Sequence, residues 1–479
     1  MNAYSLILEI AVAVLALMVL LLDLWTPSDV KRVLGYFSIA GLLFILVLSF
    51  IIEPDSGRAT ATSMLAQDGL AVFFQRFFLV AAILVLVMAD AVAERMTMGI
   101  GEFQVVTLMA LDGMMLSAAA NDFLLVFVSM ELISISFYVL VSFQRSRLLS
   151  LEAGVKYLIL SALSSAFLVF GIALIFGTAN ELNFVRLGAA PLALTHNRVY
   201  WLGLLMVLFS LSFKISAFPL QVWAPDVYQG APTPVSAFLA IGSKAAGFVL
   251  VLRVLFLAVP RLTLHWDKML LLVAGVTILY GNLCAIPQRN LKRLLGYSSI
   301  SNAGYMLLGV AAVNADGSAA VLYYLAGYMF TLAAAFLIIC LVMRDNEDIG
   351  TLAGLSRRSP LLAAVLALVM ISLAGIPPLA GFLGKFLLLR ALVERGAVEP
   401  ECYWLCAVAV AGVVISLYYY FAVIRVMYWA KDPPDLSPIA VPASVKIPLA
   451  VCAAGMLYLG MYPGSVLASA TAAVKALKF

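Results

Sequence analysis

Histidine and cysteine are nearly missing from this chain. Only His196 and His265 occur in 479 residues, and both fall in stretches that read as loops. A transmembrane bis-histidine haem therefore has no ligands. The five cysteines, Cys284, Cys340, Cys402, Cys406 and Cys452, make no C-x-x-C pair, and the closest two stand one helical turn apart. Iron–sulfur, zinc and disulfide frameworks lack their ligands here. Charge is also scarce, at 11% Asp, Glu, Lys and Arg, against about 25% in soluble domains. The net charge is only +4, and no lysine/arginine run of the kind that attracts nucleic acid is present. There is no G-x-x-x-x-G-K-[ST] loop, and the polar breaks, about 20 residues at most, are too short for a nucleotide-binding domain. Whatever drives this molecule enters from elsewhere.

What is present is apolar sequence, 65% of the residues at a mean hydropathy of +1.09. A water-soluble fold is excluded by that composition. Apolar stretches of about 20 residues recur from end to end, the signature of an all-α polytopic membrane protein. The segment Ala3 to Trp25 is too long for a signal peptide and lacks a basic leader and a small-residue cleavage site, so it reads as a true first helix. Further spans are expected near 33–52, 68–90, 103–119, 121–143, 152–178, 200–220, 234–256, 266–286, 297–313, 318–343, 359–394, 402–428 and 445–470. About fourteen transmembrane helices follow, with both termini on one side. Lys31/Arg32, Arg145/Arg147, Arg289/Lys292/Arg293 and Arg344 with Arg357/Arg358 share the opposite side, which the positive-inside rule makes cytoplasmic. Arg58, Arg186, Arg198, Arg261 and Lys268 lie with the termini, so the bias is a preference of roughly three to two.

Two spans are irregular. One reads F-K-I-S-A-F-P-L-Q-V-W-A-P-D around Pro219, and the other L-A-G-I-P-P-L-A-G-F-L-G-K around Pro377 and Pro378. Proline removes a backbone donor and clashes with the preceding turn, so each helix breaks and frees backbone groups that need a partner or a wet cavity. Broken helices in corresponding places of two halves mark ion pathways. The breaks fall in the seventh and twelfth spans, five apart. That spacing predicts two five-helix repeats, and because five is odd the repeats are inverted. The expected divisions are residues 1–102 for helices 1–3, 103–258 for the first repeat, 259–430 for the second, and 431–479 for helix 14.

Four ionisable residues fall near the middle of apolar spans: Glu131 in F-V-S-M-E-L-I-S, Lys214, Lys244 in A-I-G-S-K-A-A-G, and Lys385. A charge at helix centre costs at least about 2.5 to 3.5 kcal/mol, so such residues are normally functional or paired. Low dielectric disfavours the charged form of a lysine and a nearby carboxylate restores it. A glutamate that approaches or leaves a lysine would switch its proton affinity. Glu152 and Lys156 stand at helical i, i+4 spacing, compatible with a surface pair as much as with a relay. Asp90, Glu94, Asp112 and Asp122 sit near span ends, where solvated or capping roles are expected. Lys292 and Arg293 are expected to set topology. Tyr418, Tyr419, Tyr420, Tyr428 and Trp429 read as packing plus an interfacial belt.

The run W-A-P-D-V-Y-Q-G-A-P-T-P-V-S-A-F-L-A-I-G-S-K (Trp223 to Lys244), M-E-L-I-S at Glu131, L-K-R-L-L-G-Y-S-S-I-S-N-A-G-Y (Leu291 to Tyr305) and P-P-L-A-G-F-L-G-K resemble the antiporter-like membrane subunits of respiratory complex I, the NADH-quinone oxidoreductases, and most of all the subunit N type. The resemblance covers nearly the whole chain. It implies a fourteen-helix fold with two inverted five-helix repeats and a proton channel. The channel residues it implies are Glu131, Lys214, Lys244 and Lys385, with Lys156 as a further possibility. Glu131 with Lys214 would form the gating pair, Lys244 the central relay, and Lys385 the exit or inter-subunit link. Lysine rather than glutamate at the last position favours the N type over the M type, although Mrp-type subunits can also carry lysine there. Relatives often have histidine where this chain has Gln221 and Asn302. Those two side chains hold water but carry no proton at neutral pH, so they are read as hydration sites.

The implied function is proton translocation as a membrane-arm subunit, driven by quinone reduction in other subunits. NAD, FMN, iron–sulfur clusters and quinone are expected in those subunits and no cofactor in this chain. Implied partners are the antiporter-like subunit M, the small membrane subunits and the lipid bilayer, in a hetero-oligomer of the bacterial inner membrane with periplasmic termini. One alternative is a subunit of an Mrp-type multisubunit sodium/proton antiporter, which sodium-dependent exchange without NADH would favour. Another is a non-pumping scaffold, against which the four retained membrane charges argue.

Overall fold

The structure is a computed structural model. It describes all residues except 1–5, 28–29, 52–63, 94–98, 190–193, 195, 344–345, 431–434 and 478, with the backbone but not the side chains of 261–265 and 267. Arg58, Glu94 and Arg344, which entered the sequence reading, lie outside the described residues, as do the Arg261 and His265 side chains.

In lipid every backbone N–H and C=O must be satisfied within its own segment, and the described residues accordingly form helices and no named strand. The chain opens with α1 (Ile7–Trp25), α2 (Arg32–Ile51) and α3 (Gly69–Ala91). Next come α4 (Ile100–Ala118), α5 (Phe123–Val141), α6 (Leu148–Ala179), the short α7 (Phe184–Gly188), α8 (Arg198–Ile215) and α9 (Trp223–Gly230). The following span, α10 (Thr233–Phe238) and α11 (Lys244–Arg253), is joined and ended by π turns at Leu239–Ser243 and Val254–Ala258. The second half comprises α12 (Pro260–Ala285), α13 (Leu291–Ala311), α14 (Ala315–Val342), α15 (Leu355–Arg358), α16 (Pro360–Ala374), α17 (Ala380–Gly396) and α18 (Glu401–Trp429). It ends with α19 (Ala443–Met461) and α20 (Gly464–Val474).

Helix starts follow side-chain chemistry. Asp68, Asp122, Asn183, Asn197, Asn290 and Asn314 each accept a hydrogen bond from a first-turn backbone N–H. Pro260 and Pro360 occupy opening positions where no donor is needed. Among the described residues, twelve helical segments are long and apolar enough to cross a bilayer. Helix α13, 21 residues or about 31 Å, crosses as well despite its serines, and α16 with α17 forms a broken crossing, the twelfth in chain order, which brings the total to fourteen.

The ninth and tenth membrane helices start about a turn and a half earlier than the expected spans, and the last span ends earlier than expected. Helix α12 begins at Pro260, which puts His265 on a helix and not in a loop, while its stretch apolar enough to cross, Lys268–Ala285, matches the expected ninth span. The last span ends at Met461, where Tyr462 and Pro463 interrupt the chain before α20.

Both expected breaks are present and are built alike. Helix α8 stops at Ile215 and Ser216 turns left-handed at φ 59°, so that the Ala217 N–H reaches back to the Ser212 carbonyl at 2.9 Å. Helix α16 stops at Ala374, Gly375 takes φ 84°, and the Ile376 N–H reaches the Ile371 carbonyl at 3.2 Å. Each is the same reversed C-terminal closure, in which a residue past the helix satisfies an orphan carbonyl. Pro219 and the pair Pro377–Pro378 follow, and the chain resumes as α9 and α17.

Candidate functional site

Glu131 lies at mid-length in α5, half-buried, and its Oε1 accepts a short hydrogen bond from the Ser165 hydroxyl of α6. One turn further on, Ser134 faces α8, where the Lys214 Nζ donates to its hydroxyl at 3.0 Å and to the Tyr157 hydroxyl at 3.5 Å. Lys214 occupies the last turn before the first break. No ion pair joins Glu131 to Lys214 among the described residues; each of the two expected partners is bonded to hydroxyls instead.

Lys244 follows the first π turn of a span whose every residue from Thr233 to Ala258 is buried inside the protein, apart from the half-buried Thr233. Its Nζ donates to the Ser299 carbonyl of α13 at 2.6 Å and to the Ser299 hydroxyl. That hydroxyl is 3.1 Å from the Tyr228 hydroxyl of α9. Gly247, one turn on, lets α11 meet the end of α8: a Cβ there would stand 2.7 Å from Ile215 Cγ2 and 3.3 Å from Lys214 Cβ.

Lys385, in α17, donates to the Leu373 carbonyl at 2.7 Å, just before the second break, and its nitrogen lies 4.6 Å from the Tyr305 ring centroid, within cation–π range. The three lysines are 1%, 1% and 4% exposed. Their acceptors are hydroxyls and carbonyls, with no carboxylate paired to any of them among the described residues. Such acceptors serve a lysine nitrogen in either protonation state, since both donate.

Gln221 is buried with an unpartnered Oε1, so that oxygen is open to a water. Asn302 is more fully engaged. Its Oδ1 accepts from the Tyr324 hydroxyl at 2.7 Å and its Nδ2 donates to Ser298 Oγ at 3.3 Å, which lies 2.5 Å from the Tyr420 hydroxyl. Tyr419 donates to Asn282 at 2.9 Å, whereas Tyr418 and Trp429 are exposed. The tyrosine group thus divides between a polar interior network and the surface.

Lys156 is not gathered with the other three lysines. Its side chain is 43% exposed and pairs with Glu152 and with Asp226 of α9, each at 2.8 Å, and Asp226 also pairs with Arg293 of α13. These groups line a cavity of about 70 Å³, room for a few waters. Asp226 was not singled out in sequence although it stands in the W-A-P-D run.

Two further ion pairs escaped the sequence reading. Lys292, expected to act as a topology charge, is fully buried, with its Nζ 3.0 Å from Glu347 and 2.7 Å from the Ala231 carbonyl, and Arg147 also reaches Glu347 at 3.3 Å. Arg253, buried at the end of α11, makes a two-pronged pair with Asp68 at 3.0 and 2.7 Å and donates to the Ala118 carbonyl. The rule that exposed Lys244 as an intramembrane charge applies equally to Arg253. Its partner lies 185 residues away and leaves no local signal.

Residues 120–416 match the family described as NADH:quinone oxidoreductase/Mrp antiporter, TM. The chain is 38% identical over 474 residues to NADH-quinone oxidoreductase subunit N of Trichlorobacter lovleyi, covering 98% of this chain and 96% of that one. Against subunit N of Moorella thermoacetica the identity is 36%, covering 96% of each. Among solved structures, a chain of respiratory complex I from Thermus thermophilus with bound Aureothin superposes with a TM-score of 0.83 at 31% identity, covering 98% of this chain and all of that one. A chain of the Mrp complex from Dietzia shares the fold at a TM-score of 0.85 and 21% identity, covering 99% and 98%. The chain belongs to the NADH:quinone oxidoreductase/Mrp antiporter transmembrane family, in its NADH-quinone oxidoreductase subunit N branch.

Proposed function

We propose that this chain is a proton-translocating membrane-arm subunit of an NADH-quinone oxidoreductase, coupling quinone reduction elsewhere in the complex to proton movement. The observation that carries this reading is the set of intramembrane ionisable side chains, half-buried Glu131 and buried Lys214, Lys244 and Lys385, bonded to hydroxyls and carbonyls, with Lys214 in the last turn before one helix break and Lys385 in the helix that follows its counterpart. An unused charge in the membrane is costly, at least about 2.5 to 3.5 kcal/mol each. In this reading Glu131 and Lys214 gate, with Ser134 and Tyr157 holding the lysine. Lys244 relays centrally beside Ser299 and Tyr228, and Lys385 passes the proton on at the second break. Water at Gln221 and along the Asn302 network fills the gaps, because lysines held by neutral acceptors exchange protons only through a mobile carrier. Lys156 with Asp226 sits at the rim as a route to solvent.

NAD, FMN, iron–sulfur clusters and quinone act in the other subunits, and the translocase role is the part played here. Phe218, Pro219, Pro377 and Pro378 are exposed on the chain surface at the breaks. Irregular backbone is not stable against lipid, so neighbours such as subunit M and the small membrane subunits cover it. The complex sits in the bacterial inner membrane with this chain's termini on the periplasmic side, in keeping with Lys31, Arg145, Arg289 and Arg357 on the other.

The test is proton uptake by inverted vesicles with and without sodium. Uptake that follows NADH oxidation and persists without sodium is expected. A sodium-dependent pH change without NADH would instead make the chain an Mrp-type antiporter subunit.

A further inference from the structure

The loop between α12 and α13 carries Arg289, and the Ile349 N–H donates to the Arg289 carbonyl at 2.8 Å, so the turn that follows α14 lies on the same face of the protein. Between that loop, the turn and α18 lies a cavity of about 240 Å³, room for several waters. Its wall includes Gln288, Arg289, Asp348 and Tyr419. Charged and amide groups at the mouth favour water over lipid. Arg289 is exposed and Tyr419 is 2% exposed, so the cavity runs from the surface to the interior.

The polar groups continue past Tyr419. Its hydroxyl donates to Asn282 Oδ1 at 2.9 Å, and Asn282 is fully buried in α12. Gly412 of α18 stands beside that amide: a Cβ there would lie 2.9 Å from Asn282 Nδ2 and 2.7 Å from the Tyr305 hydroxyl. The two polar groups flank one glycine, close enough for a single water to bridge them. Lys385 sits over the ring of that same Tyr305, its nitrogen 4.6 Å from the centroid. A second branch leaves from Tyr420, whose ring centroid lies 4.4 Å from that of Tyr419, and passes through Ser298 and Asn302 to Tyr324. Gly384, next to Lys385, packs against the Tyr324 ring. Both branches end at the same lysine.

A lysine inside the membrane needs a route to a proton donor or acceptor. Hydroxyls donate and accept at once, so a line of them with water in its gaps can hand a proton along. We infer that the cavity and the polar groups behind it form a water path from the Arg289 face to Lys385, by way of Tyr419, Asn282 and Tyr305. Lys385 then exchanges protons directly with that face and not only with Lys244.

The inference rests on the reading of Lys385 as a proton carrier, and the experiment separates the two. Proton uptake per quinone reduced is measured in inverted vesicles holding the assembled complex, for wild type, Lys385→Ala, Gly412→Ala and Gly275→Ala. The methyl of Gly412→Ala fills the gap between Asn282 and Tyr305, whereas a Cβ at Gly275, on the same pair of helices, would meet only Leu405 and Val408. The ratio is expected to fall in Lys385→Ala and equally in Gly412→Ala, with Gly275→Ala at the wild-type value. A wild-type ratio in Gly412→Ala beside a lowered one in Lys385→Ala overturns the path, and so does an equal loss in Gly275→Ala. A wild-type ratio in Lys385→Ala overturns the carrier reading instead.

Accessibility is read separately, without pumping. A small thiol reagent is applied to one membrane face of Asn282→Cys complexes, in a Cys284→Ser background, with a thiol scavenger on the other face. Mass spectrometry of this chain's peptide reports the adduct, and Arg289→Cys marks the face. Labelling of Asn282→Cys is expected from the face that labels Arg289→Cys, slowed several-fold by Ala422→Trp, whose ring fills the cavity. Labelling from the opposite face only, or none under conditions that label Arg289→Cys, overturns the path whatever the pumping result.

Discussion

At Lys214, a residue 1% exposed to solvent, the nitrogen is held by two hydroxyls, Ser134 and Tyr157, and by no carboxylate among the described residues. Position therefore matters as much as charge. Ser134→Ala leaves only the long Tyr157 contact for a buried donor, an unsatisfied group worth about 1–3 kcal/mol. Proton uptake should fall several-fold with quinone reduction less affected. Ser134→Thr, which keeps the hydroxyl, should retain uptake. Outside the membrane, Glu181 shows how a carboxylate is set by its neighbours. The backbone N–H of Asn183, then the Arg186 guanidinium and the Leu182 N–H, hold its carboxyl below the usual range. Its stabilisation is present above the ordinary carboxylate pKa and is lost as pH falls through the depressed value. Hydrogen exchange at Asn183 should accelerate in that acid window, and Glu181→Gln should flatten the dependence.

At the scale of elements, both breaks were legible because proline and lysine stand together in apolar sequence, and the chain does stop and restart at each. The closure was not legible, since nothing local marks Ser216 as left-handed, where glycine is the usual occupant. Ser216 also carries a buried hydroxyl without a partner. Ser216→Gly should therefore be neutral or stabilising by up to about 1–2 kcal/mol, the cost of a left-handed non-glycine residue. Gly375→Ala should destabilise by a similar amount, and its Cβ would press on Lys385 Cδ at 3.1 Å. Thermal unfolding of the two complexes decides between these signs. The four relay candidates were found because apolar sequence makes a charge conspicuous. Their serine and tyrosine partners were missed because a hydroxyl in a membrane helix is common and bonds its own backbone, as Ser134 does to Met130.

Across the whole molecule, long-range ion pairs tie loops that are far apart in sequence. Glu347 collects Lys292, Arg147 and the Asn290 amide, and Lys292 also holds the Ala231 carbonyl at the turn into α10. Glu347→Gln leaves a fully buried lysine unpaired and should cost about 3–5 kcal/mol, read as lost assembly. The double variant with Lys292→Met should recover much of that loss, since an apolar replacement of a buried pair is often close to neutral. Such pairs, 55 and 200 residues apart, cannot be read from spacing.

The central claim, that the buried lysines carry the driven proton, is met most directly by Lys214→Ala. NADH-driven proton uptake and quinone reductase activity would be followed together in inverted vesicles holding the assembled complex. Loss of uptake with the complex assembled is the predicted result. Uptake and quinone reduction both unchanged from wild type would contradict it and leave the chain a scaffold.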